Sequence, residues 1–249
     1  MRIRVVNPNT STSMTRVIEA AARSGVSDPV IVEALTSPFG PASIESHYEE
    51  ALALPGLLAL VDEGERQDVD GYVVACFGDP GLDACRELAR GPVLGIAEAA
   101  MHAATLVGRH FGVVTTLART VGRATELSVR YGAAEACVGV RACEVAVLEL
   151  ENPASNARSL VVEEARGLID AGADSIVLGC AGLADLCRSL TTELGVPVID
   201  GVSVASGLVE ALVRSGLRTS TRSEYAPPPV KEISGPLVGF VRGRIPAPA

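Results

Sequence analysis

No apolar run in the 249-residue chain approaches the roughly 18 residues of a membrane helix. The opening "MRIRVVNPNTS" is too short in apolar residues for a secretory signal and runs directly into Asn-Pro-Asn, so a cytoplasmic location is expected. Positive charge is scarce: 21 Lys and Arg stand against 30 Asp and Glu, a formal charge of −9. That balance argues against nucleic acid or an anionic membrane surface as a partner. The six cysteines contain no Cys-x-x-Cys pair and there are only three histidines, which leaves no pattern for zinc or a redox dithiol. No G-x-G-x-x-G follows an apolar run and there is no G-x-x-x-x-G-K-[ST], so a nucleotide cofactor is not expected. The expectation is a protein that works without metal or cofactor.

What the chain does have is a core and a rhythm. With 48% hydrophobic and 20% charged residues it can bury a large interior. Short β-branched runs at 3–7, 30–35, 71–76 and 92–96 alternate with helical stretches at 11–23, 44–62, 80–89 and 97–108. The pattern then restarts, with runs at 111–116, 140–147, 175–180 and 196–200 and helical stretches at 119–131, 154–171, 183–194 and 203–215. Nearly continuous apolar strands are what a parallel sheet covered on both faces requires. Two similar α/β lobes are predicted, each a mainly parallel four-stranded sheet flanked by helices, with a site in the cleft between them. The expected division is 1–97, completed by 210–249, for the first lobe and 98–209 for the second. A single eight-fold barrel is the alternative. Residues 218–249, rich in Ser, Thr and Pro, read as an extended arm packed on a lobe or a neighbouring subunit, or as a disordered tail.

Two stretches stand out within this rhythm. "DGYVVACFGDPGL" (70–82) and "DSIVLGCAGLADL" (174–186) each deliver a cysteine to the end of a buried strand and then break into small residues. Cys76 and Cys180 end the third strand of each half, at the sheet edge where open α/β proteins bind ligands. Cys85, Cys137, Cys143 and Cys187 fall elsewhere and read as packing. Opposed thiols are suited to taking a proton from one face of a carbon and returning one to the other face. Helix N-termini following each cysteine are expected to lower the thiol pKa and to hold a developing oxyanion.

These residues resemble the aspartate/glutamate/hydantoin racemase superfamily, and within it the hydantoin and allantoin racemases. The resemblance spans nearly the whole chain and is carried by "NPNTS", "GPASIE" (40–45), "ACFGDPGL" (75–82), "GVVTT" (112–116) and "LGCAGL" (178–183). It implies that Cys76 and Cys180 are the two acid/base residues, each serving one enantiomer. It implies further that Asn7, Phe77, Gly78, Thr115, Thr116, Ala181 and Gly182 line the substrate pocket, and that the protein is a homo-oligomer. Amino-acid racemases of the superfamily carry Asn-Thr after the first cysteine and Thr-His after the second. This chain has Phe77-Gly78 and Ala181-Gly182 there. The difference points away from free amino acids and toward a 5-substituted cyclic ureide, whose flat ring Phe77 suits.

Several of these residues also have plain structural readings. Asn7 fits a turn or N-cap, and Thr115 and Thr116 fit the finish of a buried strand. Phe77 fits a lid over the core. His47, His102 and His110 read as surface or pairing residues. Asp79 and Asp83 are expected to serve the turn and first helical turn after Cys76. The sequence therefore points to a cofactor-independent racemase inverting C5 of hydantoins, with allantoin racemase as the near alternative. Maleate isomerisation, decarboxylation and a non-catalytic small-molecule sensor are the more distant ones.

Overall fold

The computed structural model describes residues 1–152, 154–229 and 231. Among these residues, apolar runs buried on both faces become eight parallel strands in two separate sheets. The first sheet holds β1 (Arg2–Asn7), β2 (Ile31–Thr36), β3 (Gly71–Val74) and β4 (Val93–Gly95), in the order β2-β1-β3-β4. The second holds β5 (Phe111–Thr115), β6 (Cys137–Ala142), β7 (Ser175–Leu178) and β8 (Val198–Asp200), in the order β6-β5-β7-β8. The two-lobed expectation holds, and the closed barrel does not.

Each sheet reverses its strand order between its first and third strands, β1 and β3 in one lobe, β5 and β7 in the other. A crevice opens beyond the carboxyl ends of strands at such a point. Asn7 and Thr115 end β1 and β5, while Cys76 and Cys180 follow β3 and β7.

Among the described residues, eight α-helices cover the sheets. They are α1 (Thr12–Ser24), α2 (His47–Arg66), α3 (Leu82–Leu88), α4 (Ile96–Val107), α5 (Ala118–Arg130), α6 (Ala157–Asp170), α7 (Cys187–Leu194) and α8 (Gly201–Arg214). Local sequence sets their starts: the Ser11 and Ser46 hydroxyls accept the N–H groups of Met14 and Glu49, and Asp200 caps α8 through Val202 and Ser203. The chain crosses between lobes twice. α4 leaves β4 of the first sheet and packs on β7 and β8 of the second, whereas α8 leaves β8 and returns to β3 and β4. One buried cluster accordingly joins Val5 and Val73 to Phe111, Val113 and Val177 through Ile96 and Val202.

Three expectations shift. The strand predicted at 140–147 lies at Cys137–Ala142. Val145 is buried in the core of the second lobe and Val147 lines the crevice, and Glu144 at φ 54 breaks the strand before them. The helix predicted from Pro80 begins at Leu82, after Gly81 takes the left-handed φ of 64 that glycine tolerates. The stretch predicted as one helix at 183–194 is a 3₁₀ segment, Ala181–Leu186, followed by α7.

Of the proposed arm, the described part packs on the first lobe. Thr219 donates from its N–H to the Arg90 carbonyl and from its hydroxyl to that of Gly91. Tyr225 donates to Asp83 at 3.2 Å, and the Arg86 guanidinium lies 5.8 Å from its ring centre. The rest of the arm expected over 218–249 lies outside the described residues.

Candidate active site

Cys76 and Cys180 reach one cavity of about 70 Å³, one from each lobe. Short backbone links fix the strand ends that carry them. The Ala75 N–H donates to the Val6 carbonyl at 2.9 Å, and the Gly179 N–H to that of Val114 at 2.7 Å. Gly179 is needed for that approach, since a Cβ there would lie 2.9 Å from the Val114 carbonyl oxygen and 3.1 Å from the Thr115 Cα. Each thiol faces the backbone N–H two residues on, Gly78 for Cys76 and Gly182 for Cys180.

Both thiols titrate high. Burial pushes Cys76 up to about 12, with smaller contributions from Glu50, Cys180 and Asp79, while the Gly78 N–H pulls it down. Burial pushes Cys180 up to about 11, with Cys143 and Glu45 adding and the Gly182 N–H subtracting. The expectation that helix N-termini depress these thiols is corrected by this result. α3 starts only at Leu82 and the turn after Cys180 is 3₁₀, so desolvation outweighs any helix dipole.

The other expected site residues divide. Phe77, Gly78, Thr115, Thr116 and Ala181 line the cavity. Phe77 is only 6% exposed and also packs into the shared core, so its two readings coexist. Gly182 lies just outside the lining; a Cβ there would touch Leu150, Met14 and the Cys180 sulfur. Asn7 does not reach the cavity. Fully buried, it donates from Nδ2 to Asn9 Oδ1 at 2.8 Å and to the Ser11 carbonyl and Thr15 hydroxyl at 3.0 Å. It thereby holds the turn from which Asn9 lines the wall.

The sequence reading missed the polar wall. Glu45, Ser46, His47 and Glu50 come over the cavity from the segment that enters α2, and Arg119 and Arg123 from one face of α5. The four-residue spacing of the two arginines on a helix was a readable signal, and "GPASIE" contained Glu45, but nothing local marked Glu50. Asp79 also departs from expectation. It accepts the Ala97 and Glu98 N–H groups at 3.1 and 2.9 Å and the Tyr131 hydroxyl at 2.7 Å, capping α4 instead of its own turn. Burial raises its pKa to about 7 against those three donors. Among the described residues no cluster of three or more His, Cys, Asp or Glu could hold a metal ion, and no helix is long and apolar enough to cross a membrane.

The family model for Asp/Glu/Hydantoin racemase matches residues 3–209. The chain belongs to that family. A hydantoin racemase from Rhizobium meliloti is 44% identical over 236 residues, 94% of this chain and 98% of its own. Another, from Pseudomonas sp. (strain NS671), is 40% identical over 98% of both chains. Among solved structures, an allantoin racemase from Klebsiella pneumoniae superposes with a TM-score of 0.94 at 48% identity, covering 96% of this chain and 98% of that one. This member of the family is an isomerase of the racemase type. Its two-lobed architecture is the family's, seen also at 19% identity in a glutamate racemase from Campylobacter jejuni with a TM-score of 0.60.

Proposed function

We propose that this racemase inverts C5 of 5-substituted hydantoins by proton transfer between Cys76 and Cys180, without a cofactor. The observation that carries the reading is the placement of one thiol from each lobe in one small cavity. As a thiolate, the first sulfur takes the C5 proton from one face. The electron pair left on C5 spreads into the flanking ring carbonyl, giving an enolate. The second sulfur, as a thiol, delivers its proton to the opposite face. One S–H bond forms and one breaks, so the net change is inversion with the two sulfurs' protonation exchanged.

One part of the cavity wall suits a flat, uncharged ring. Phe77 and Met14 offer apolar surface, while Asn9, Thr115 and Thr116 place amide and hydroxyl groups for ring polar atoms and the enolate oxygen. The curated hydantoin racemases at 40–44% identity support this substrate class. The 48% identity to an allantoin racemase favours allantoin, itself a hydantoin with a ureido arm, as the second reading. Assembly into a homo-oligomer belongs to the same proposal, and light scattering after size exclusion checks it.

C5 proton exchange and optical rotation in D2O test the mechanism, using single enantiomers of benzylhydantoin, isopropylhydantoin and allantoin. The wild type is expected to racemise at least one. Cys76→Ser and Cys180→Ser are each expected to lose inversion by 10³-fold or more, on the order of removing an essential acid or base, while each still exchanges one enantiomer. Failure of the wild type on all three compounds sinks the hydantoin reading.

A further inference from the structure

The two thiols are set in different surroundings. Behind Gly182 stand Leu150 Cδ1 and Met14 Cε, both apolar. Behind Gly78 stands a carboxylate: a Cβ on that glycine would fall 2.4 Å from Glu50 Oε1. On the same glycine, Arg123 of α5 donates from Nε and Nη2 to the carbonyl oxygen at 3.1 and 2.9 Å. Arg123 Nε also lies 3.5 Å from Glu50 Oε1, and the two side chains are only 27% and 18% exposed. Gly78 comes from the first lobe and Arg123 from the second, so this pair ties the lobes together at the turn whose N–H faces the Cys76 sulfur.

We propose that Glu50 and Arg123 are a positioning pair that holds the Gly78 turn and sets which of Cys76 and Cys180 carries the remaining proton when one of the two thiols ionises. A carboxylate near one thiol disfavours its thiolate, and an arginine paired with that carboxylate moderates the effect. Glu50 alone therefore biases the singly ionised form of the pair toward Cys76 protonated and Cys180 bare, and Arg123 limits that bias. Other groups face these sulfurs too. Around Cys76 they are Asp79 on its own turn and Cys180 across the cavity, while His47 faces Glu50, with Nδ1 3.8 Å from the carboxylate. Around Cys180 they are Cys143 and Glu45, but Glu45 is occupied, accepting the Val147 N–H at 2.6 Å. Among the described residues, only the Cys76 side carries an ion pair gripping the backbone of the cysteine turn.

The inference rests on the two-thiol reading, yet its test needs no substrate. The full-length protein is alkylated with iodoacetamide from pH 7 to 10, and peptide mapping gives separate rates for Cys76 and Cys180. Glu50→Gln is expected to raise the Cys76-to-Cys180 rate ratio about tenfold, the effect of one pKa unit. Arg123→Gln, which leaves Glu50 unpaired, is expected to lower the ratio several-fold, and Arg123→Lys to return it to within twofold of wild type. A turn that was merely loosened would instead raise labelling of both thiols in every variant. That outcome, or a ratio unchanged within twofold in Glu50→Gln, overturns the proposal. Should Arg123→Gln not fold, the near-isosteric Glu50→Gln decides the matter alone. Absence of racemisation by the wild type would count against the proposed reaction and leave this labelling result standing.

Discussion

On the two-thiol reading, buried sulfur makes the reaction sensitive to pH. Below about 11, each added pH unit multiplies the singly ionised form of the thiol pair about tenfold. On the two-thiol reading, kcat/KM is expected to climb from pH 6 to 9, and initial rates in overlapping buffers check this; a plateau from neutral pH would show that the thiols ionise lower than the cavity dictates. Because enantiomers have equal free energy, the two directions must give the same kcat/KM at every pH, whatever their separate kcat and KM values. Gly78→Ala is a second test at this scale. Its methyl would press on Glu50 while Arg123 holds the carbonyl, and kcat/KM is expected to fall on the order of 10²-fold with little change in Tm. The two cysteines were legible because a buried strand twice ended in the same residue type. Asn7 was legible as a polar strand end, but only the fold shows its amide turned toward Asn9, Ser11 and Thr15 instead of the cavity. Arg123 left only its helical spacing from Arg119 as a signal and Glu50 left none, and their pairing was not legible, because α2 and α5 meet at Gly78 only after both lobes have formed.

Helix α4 illustrates what local sequence cannot specify. Its N-cap Gly95 has no side chain, and the cap comes from Asp79 across the turn beyond Cys76. The apolar period of α4 was readable; its distant cap was not, because nothing in "DPGL" says which N–H groups the aspartate will find. The same limit explains the displaced β6: a run rich in apolar residues looks alike whether it pairs in a sheet or packs beyond the strand's end. Asp79 has a thermodynamic signature. Its folded pKa of about 7 exceeds the unfolded 3.8, so the folded chain binds the extra proton between those values. Its contribution is complete below pH 3.8 and is lost as pH rises toward 7. Asp79→Asn is expected to flatten that slope in urea unfolding compared between pH 5 and 7. Asp79→Ala, which strips the cap and leaves the Tyr131 hydroxyl without its acceptor, is expected to cost about 2–4 kcal/mol at pH 5. A wild-type slope identical to that of Asp79→Asn would refute the assignment.

Over the whole molecule, the repeat of four strands predicted two lobes, but strand counting could not foresee their exchange of helices. Since α4 and α8 each start on one sheet and pack on the other, neither lobe buries its apolar surface alone. One cooperative transition is expected in urea, with tyrosine fluorescence and far-ultraviolet circular dichroism giving coincident midpoints; two separated midpoints would show independent lobes. The shared cavity has a further consequence over time. Each turnover on the two-thiol reading protonates the sulfur that began bare and strips the one that began protonated. The freed enzyme is then primed for the molecule it has just released, and a second copy of the original substrate must wait until water carries a proton from one sulfur to the other. On that reading the protein keeps a brief memory of handedness, written in a single hydrogen and erased by solvent.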